Sequence, residues 1–337
     1  MNTTPNSPVL QPLLFSKKDL GNCFLRPLSE REVEFHNMYY CVLELLSTEE
    51  KIALDTKSVR GRKGFDLSSM FGIMLLKLHY RICTIKETLL TLEENGNLRY
   101  ILGLDKVPAE STVSSALKRV ETIIDIQNMH GVLIEAYRVV AGQSIVEHLS
   151  IDSTVIEVRE KPVTPVRKKK NEPQKRGRKK KGSKEQEEYL KQKAEEEALK
   201  QQYYLEEPKI SFGNLENRCS LTAKKNSKGK MQWSIGYKAH FATDDHGVPL
   251  SYAITGASVH DSQCAIPLAK LVKQRLFFIL YVLGDKAYNS ADINHFFETF
   301  TQAKFIADVK SNSKYELTPN EVERYKNRTT VERTNAE

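Results

Sequence analysis

Three acidic residues, Asp152, Asp285 and Glu332, stand where a folded chain can bring carboxylates together. Asp152 lies in S-I-D-S-T (150–154), Asp285 follows an eight-residue apolar run in G-D-K-A-Y (284–288), and Glu332 closes the stretch Tyr325-x-x-Arg328-x-x-x-Glu332. Crowded carboxylates are costly, since burial and mutual repulsion both oppose ionisation, unless cations fill the space between them. Oxygen donors with open positions suit Mg2+ or Mn2+, and such a cluster supports phosphoryl transfer. Taken singly, each acid has a plainer role. Asp152 reads as a turn former at a strand end, Asp285 as a cap for the helix near Ser290, and Glu332 as the partner of Thr329 in a capping box. Other chemistries lack their residues. There is no H-E-x-x-H, Walker A loop, G-x-G-x-x-G or G-x-S-x-G, and the five cysteines include no C-x-x-C pair, which argues against a zinc site and a disulfide framework.

The acids converge only if the elements around them fold in a particular order. His148 to Arg159 carries β-branched residues near alternation and reads as a strand holding Asp152. Gln232 to Thr243 and Val248 to Thr255 are two alternating runs joined by Asp244-Asp245-His246-Gly247, a hairpin signal. A helix from Ser262 to Gln274 leads into the apolar run Leu276 to Leu283, which suits a buried central strand ending beside Asp285. Helix Ser290 to Phe300, strand Lys304 to Val309 and a helix from Pro319 onward complete this half. A hairpin followed by parallel strands sets the first strand beside the buried fourth, so that Asp152 and Asp285 face each other. If residues 319–337 form one helix, Tyr325, Arg328 and Glu332 fall at i, i+3 and i+7, one stripe of a 3.6-residue helix. A break at Thr329 would separate Tyr325 from Glu332. Asp261 reads as an N-cap rather than a ligand. Lys238 and His240 share one strand face, where they can line a groove or simply meet solvent.

Residues 29–140 read differently, as helices. Ser29-x-x-Glu32 and Thr84-x-x-Glu87 are capping boxes, Leu67 to Tyr80 is apolar on most sides like the central helix of a bundle, and a further helix follows Pro108 with Ser111 as N-cap. Short helices broken at Asn95-Gly96 and at Leu104 to Pro108 suit a compact domain with a helix-turn-helix-like pair.

Charge points to the partner. Between Lys161 and Lys184 stand twelve Lys/Arg against one acid, Glu172, so this tract carries +11 of a chain whose net charge is +8 and leaves −3 for the rest. A polyanion is the natural partner, nucleic acid the commonest. Arg176 and Arg178 in K-R-G-R-K resemble a minor-groove hook, although a Lys/Arg run also serves as a plain solvated loop. Glu185 to Glu207, rich in Glu, Lys, Gln and Ala, reads as a solvated helix. With 337 residues and 40% hydrophobic composition the chain has material for about two cores. No apolar run approaches the ~20 residues of a membrane span, and the N-terminus lacks the pattern of a signal peptide, so a cytoplasmic protein is expected.

These motifs, in this order, resemble those of the DDE transposases of bacterial insertion sequences. Tyr325-x-x-Arg328-x-x-x-Glu332 is similar to the family's Y-x2-R-x3-E signature, D-K-A-Y at 285–288 to its second-aspartate motif, and S-I-D-S-T to its first-aspartate strand. G-Y-K-A-H (236–240) and S-V-H-D-S (258–262) also resemble segments of this family, and the helical first part resembles the N-terminal domain many members carry. The resemblance implies an α/β RNase H-like catalytic domain, a mixed sheet with flanking helices, over residues 145–337, interrupted by a basic and charged insert at about 160–230. An all-α DNA-binding domain over 29–140 would precede it. Asp152, Asp285 and Glu332 would hold two Mg2+ (or Mn2+) ions ~3.5–4 Å apart. Tyr325, Arg328, Lys238, His260, Tyr288, Arg176 and Arg178 would bind DNA or support the site. The substrate would be double-stranded DNA, both element ends and target, engaged by a homo-oligomer in the bacterial nucleoid. Two other readings remain open: a DNA-binding regulator without catalysis, and a nuclease of the same fold that cuts without joining. The family pattern continues with a Lys seven residues after the Glu, whereas this chain stops at 337. The resemblance therefore implies a truncated product that binds DNA without efficient cleavage.

Overall fold

The computed structural model describes residues 27–55, 64–142, 144–163, 184–225, 228–309 and 316–336. The basic tract with Arg176 and Arg178 lies almost wholly outside them. The chain divides into two compact units, with the division after Ala136.

The first unit is helical: α1 (Glu30–Leu45), α2 (Thr48–Asp55), α3 (Leu67–His79), α4 (Ile85–Glu94), α5 (Gly96–Ile101), α6 (Glu110–Ile123) and most of α7 (Ile126–Ala141). Both expected capping boxes form, Ser29 with Glu32 and Thr84 with Glu87. Glu32 does more than cap. Its second oxygen accepts from Nδ2 of Asn95 at 2.6 Å, tying the start of α1 to the α4–α5 junction, and this satisfies a buried carboxylate. Helix α3 is apolar enough to be central, and its Met70, Ile73 and Leu76 are buried with Phe35 of α1, Leu92 of α4 and Val113 of α6. Helix α6 begins earlier than Ser111 suggests. Ala109 takes the extended cap geometry directly after Pro108 and contributes no side-chain cap, so burial of Val113, Ala116 and Val120 sets the start of the helix.

The second unit is a six-stranded mixed sheet with helices. Its strands are β1 (Ile145–Glu157), β2 (Ser220–Lys225), β3 (Met231–Thr243), β4 (Pro249–Gly256), β5 (Phe278–Gly284) and β6 (Lys304–Ala307), in the order β2-β3-β1-β5-β6 with β4 also pairing β3. Strands β1–β4 meet antiparallel, whereas β5 runs parallel to β1 and β6 parallel to β5. The helices are α8 (Lys184–Leu205), α9 (Pro208–Gly213), α10 (Ser262–Gln274), α11 (Ala291–Phe296), α12 (Pro319–Tyr325) and α13 (Thr329–Ala336). Two differences from expectation stand out. Strand β2, inside the span expected to be an insert, extends the sheet. The terminal helix is also not continuous, because a 3-10 turn, Lys326–Arg328, separates α12 from α13.

Strand β1 is covered on both faces, as its run of buried residues 148–151 shows. Side chains alternate along a strand. Its even positions His148 and Asp152 make hydrogen bonds to Asn327, beside α12, and Asn335 of α13, while odd Ser153 reaches Asp261 at the start of α10. Leu149 and Ile151 of β1, Cys264, Ala265 and Leu268 of α10 and Val282 and Leu283 of β5 are all fully buried.

Candidate active site

Register places the two aspartates. Ser150 of β1 pairs with Leu283 of the parallel strand β5, so two residues further along each chain Asp152 and Asp285 stand side by side at the same sheet end and on the same face. Asp285 caps the 3-10 turn Lys286–Tyr288, its Oδ1 accepting from the Ala287 amide at 2.8 Å. It caps this turn rather than the later helix, for Ser290 caps α11. The strand therefore ends in a turn that fixes the carboxylate.

Glu332 arrives from α13. Val331 is fully buried, and Thr334 Oγ1 donates to the Gly247 carbonyl at 3.0 Å, so α13 is anchored over β1 and the β3–β4 turn. Gly247 has φ +82 in that turn, a conformation L side chains rarely adopt, and a Cβ there would press on Thr334. Arg328 donates from Nη2 to Oε1 of Glu332 one turn along, and its guanidinium lies 5.7 Å from the Tyr325 ring centroid. The expected grouping of Tyr325, Arg328 and Glu332 thus survives the 3-10 turn.

Electrostatics link all four groups. Burial lifts the Asp152 carboxyl above the ordinary carboxylate range. The Ser153 amide and the Arg328 charge oppose this, and the charges of Asp285 and Glu332 add to it. Asp152 Oδ2 also accepts from Nδ2 of Asn335 at 2.9 Å. Asn335 was not singled out in the sequence, although its i+3 spacing from Glu332 carries the signal. Burial also raises the Tyr325 hydroxyl.

A second polar group lies behind the aspartates. Asp261 stands at the cap position of α10 but in helical geometry, and its side chain makes no cap bond, contrary to the N-cap reading. Lys238 Nζ takes its carboxylate at 2.9 Å and donates also to the Val259 carbonyl. Burial pushes Asp261 up, but the bonds and charges of Lys238, Ser153 and His240 bring it below the usual carboxylate value. His240 is fully buried, its Nε2 beside Thr255 Oγ1 at 2.8 Å, and burial pulls its pKa down to about 4. His260, by contrast, is exposed and bonds Ser262. Tyr288 is buried, and its hydroxyl finds no hydrogen-bond partner among the described residues. Burial, then the charges of Asp261, Asp152 and Asp285, hold that phenol far above its usual pKa.

Among the described residues no three His, Cys, Asp or Glu side chains already stand close enough to hold one ion. The donor set nevertheless fits a hard divalent cation. It is all carboxylate oxygen, and the charges of Asp285 and Glu332 add to the lift that burial gives Asp152, a repulsion that a cation between them would relieve. Arg328 and Asn335 hold one oxygen each of Glu332 and Asp152 in this arrangement.

Next to Asp152 the sheet opens into a cleft of about 520 Å³ lined by Ser153, Thr154, Val155, Glu157, Lys224 and Lys225 among others. No helix among the described residues is long and apolar enough to cross a membrane.

Comparison with known proteins adds the following. Residues 216–337 match the family described as Transposase DDE domain, and residues 30–119 match that described as Transposase domain (DUF772). The first match takes in β2 through α13 with Asp285 and Glu332, and leaves β1 and Asp152 outside it. No curated protein and no solved structure matches the chain.

Proposed function

This chain being a transposase of the DDE type, an enzyme of DNA transfer, we propose that Asp152, Asp285 and Glu332 are its catalytic acids and that it cuts and joins DNA at the ends of a mobile element. The observation that supports this most is the register of β1 and β5, which sets Asp152 and Asp285 at matching strand ends. Arg328, Asp285 and Glu332 all lie within electrostatic reach of Asp152. The DDE domain implies an RNase H-like fold, and the mixed sheet with flanking helices agrees with it.

Transposases of this type use divalent ions. Two Mg2+ or Mn2+ ions held by these carboxylates would supply activation of the attacking oxygen and stabilisation of the leaving one. The chain's own residues do the rest. Burial favours the neutral form of Asp152 and the Arg328 charge favours the ionised form that would bind metal. Arg328 holds Oε1 of Glu332, and metal binding by both Glu332 oxygens would displace it. The freed guanidinium is then placed to meet a DNA phosphate, a bidentate role for which arginine is suited. Lys224 and Lys225 line the cleft beside Asp152 and supply phosphate contacts there. The helical unit, the basic tract and a homo-oligomeric arrangement would add grip on the element ends.

The test is a cleavage and strand-transfer assay with Mg2+ on DNA carrying the ends of the encoding element. Where the sequence pattern led to an expectation of inefficient cleavage, the transposase reading expects wild type to yield nicked and joined products and Asp152→Ala, Asp285→Ala and Glu332→Ala each to yield neither. Retained cleavage in Asp152→Ala removes that residue from the reading. Cleavage without joining on pre-cut ends makes the chain a nuclease only.

A further inference from the structure

Strands β1 and β5 and the helical segment leading to Glu332 meet a second time, away from the acids themselves. His148 stands four residues before Asp152 on β1, Tyr281 four residues before Asp285 on β5, and Arg324 eight residues before Glu332, in α12. His148 and Tyr281 are register partners, and their rings stack with centroids 5.6 Å apart and planes at 23°. The Arg324 guanidinium carbon lies 4.0 Å from the Tyr281 ring centroid. Its Nη1 donates to His148 Nε2 at 3.2 Å and to Glu147 Oε1 at 2.8 Å. A guanidinium offers only protons, so Nε2 accepts, and the imidazole proton sits on Nδ1 and goes to Oδ1 of Asp245 at 2.7 Å. Asp245, in the β3–β4 turn, takes the amides of Glu147 and His148 with its other oxygen, at 3.0 and 3.1 Å. Asn327, in the 3-10 turn, lies 3.4 Å from both ring nitrogens. His148 is 5% exposed, so its ring is withdrawn from water, while Arg324, Asp245 and above all Glu147 keep part of their side chains in solvent.

We propose that His148, Tyr281 and Arg324 form a positioning clamp that sets where Glu332 lies relative to Asp152 and Asp285, and through that the affinity of the site for divalent metal. The inference rests on the metal-site reading above. Between clamp and acids, β1 and β5 are joined by continuous backbone pairing, Leu149 with Val282 and Ser150 with Leu283, so the two aspartates are fixed by the sheet itself. Among the described residues no backbone hydrogen bond pairs the α12–α13 segment with the sheet. Side chains hold it: Glu321 to Lys304 of β6 at 2.7 Å near the start of α12, then Arg324 and Asn327, Val331, and Thr334 and Asn335 at the far end. Losing Arg324 leaves α12 tied to β6 through Glu321 but loosens the stretch between there and Val331 from β1 and β5, so Glu332 shifts while the sheet keeps its pairing. Misplacement by about 1 Å can cost a reacting site ~10²-fold.

The experiment is Mn2+ titration of the full chain, read by the electron spin resonance of free Mn2+, without DNA. Wild type binds Mn2+ and Asp152→Asn does not. Arg324→Ala raises the half-saturating Mn2+ concentration about tenfold or more, in the range by which loss of supporting contacts weakens metal sites. Arg324→Lys, with the charge but neither fork nor planar stack, does the same. Tyr281→Phe, which keeps the ring, stays within about twofold of wild type, whereas Tyr281→Leu follows Arg324→Ala. In a Glu332→Gln background Arg324→Ala has no further effect, the signature of a residue acting through Glu332 and not through general stability. Circular dichroism identifies any variant that fails to fold, and Arg324→Lys and Tyr281→Leu then carry the test for Arg324→Ala. Mn2+ binding within twofold of wild type in folded Arg324→Ala and Arg324→Lys overturns the clamp, as does an undiminished effect in the Glu332→Gln background. If wild type binds no Mn2+, or Asp152→Asn binds it equally, the metal-site reading itself fails and the clamp with it.

Discussion

Arg328 holds the carboxylate of Glu332 one helical turn further along the chain, and it is also the foremost charge favouring ionised Asp152. One guanidinium therefore serves two of the three acids. Metal must compete with protons for Asp152, so Arg328→Gln, which removes a charge that lowers the Asp152 pKa, shifts Mn2+ binding to higher pH. Mn2+ titrations at a series of pH values should show the half-maximal pH moving up, whatever happens to the affinity at the alkaline plateau. Movement downward would mean that Arg328 restrains Glu332 more than it assists Asp152.

Asp152 also destabilises the metal-free fold. Its folded pKa lies above that of an exposed carboxyl, mainly through burial. The folded state then binds the proton more readily than the unfolded chain, so stability is greatest below the unfolded value and falls as pH rises through the folded one. Asp152→Asn removes that loss and keeps an oxygen for Asn335. In calorimetry without metal at pH 7 the variant should melt higher, by about 2–4 °C for each 1 kcal/mol relieved. It should also lose cleavage. A lower melting temperature would show that the carboxylate is compensated in place.

The buried His240 gives the opposite slope. Its pKa falls to about 4 in the folded state, burial being the main cause, so between about 6.5 and 4 the unfolded chain takes a proton that the folded chain refuses. The stability associated with neutral His240 is complete above about pH 6.5 and is lost as the pH drops toward 4. His240→Gln, which can still reach Thr255, should flatten this acid limb in urea melts at pH 7, 6, 5 and 4.5. An unchanged limb would assign the acid sensitivity elsewhere.

Gly236 should tolerate no side chain. It has φ +154 on β3, and a Cβ there would overlap the carbonyl oxygen of Ile156 on β1, backbone that cannot step aside cheaply. Gly236→Ala should cost about 1–3 kcal/mol in chemical denaturation, the usual price of forced repacking. Gly213→Ala, with open space around its Cβ position, is the control and should change little. Equal stability of the two variants would show that β1 and β3 can separate locally.

Local chemistry was legible in the sequence wherever it decided the outcome. The capping boxes at Ser29 and Thr84 form because donor and acceptor lie three residues apart, and α10 spans the residues its spacing indicates. Alternation revealed β1, β3 and β4 but not β2. S-L-T-A-K-K ends in two lysines, and its pattern acquires meaning only opposite Trp233 and Ile235 of β3. Asp261 shows the same limit at the site. Its cap position is local, but Lys238, on another strand, takes the carboxylate. Nor does any glycine or proline mark the turn at Lys326–Arg328, where packing on β1 and β5 breaks the helix. The proposed site was legible as three acids in order. That Asn335 and Arg324 would join the network depended on tertiary placement.

The pairing of β1 with β5 has a consequence in time. Ser150 and Leu283 are neighbours in the sheet but 133 positions apart in the chain, and the Asn335–Asp152 contact spans 183. At a synthesis rate of ~5–20 residues per second, the strand bearing Asp152 leaves the ribosome about 7–27 s before its parallel partner does. Through that interval the nascent polypeptide has a helical unit able to fold by local contacts and a β1–β3–β4 meander in the making, but no paired aspartates. Long-range parallel pairing is slow in any case, because the closure entropy of the intervening loop is spent before the contacts form. Competence to break DNA is thus among the last properties the chain acquires, and a ribosome stalled before β5 would release a fragment without it.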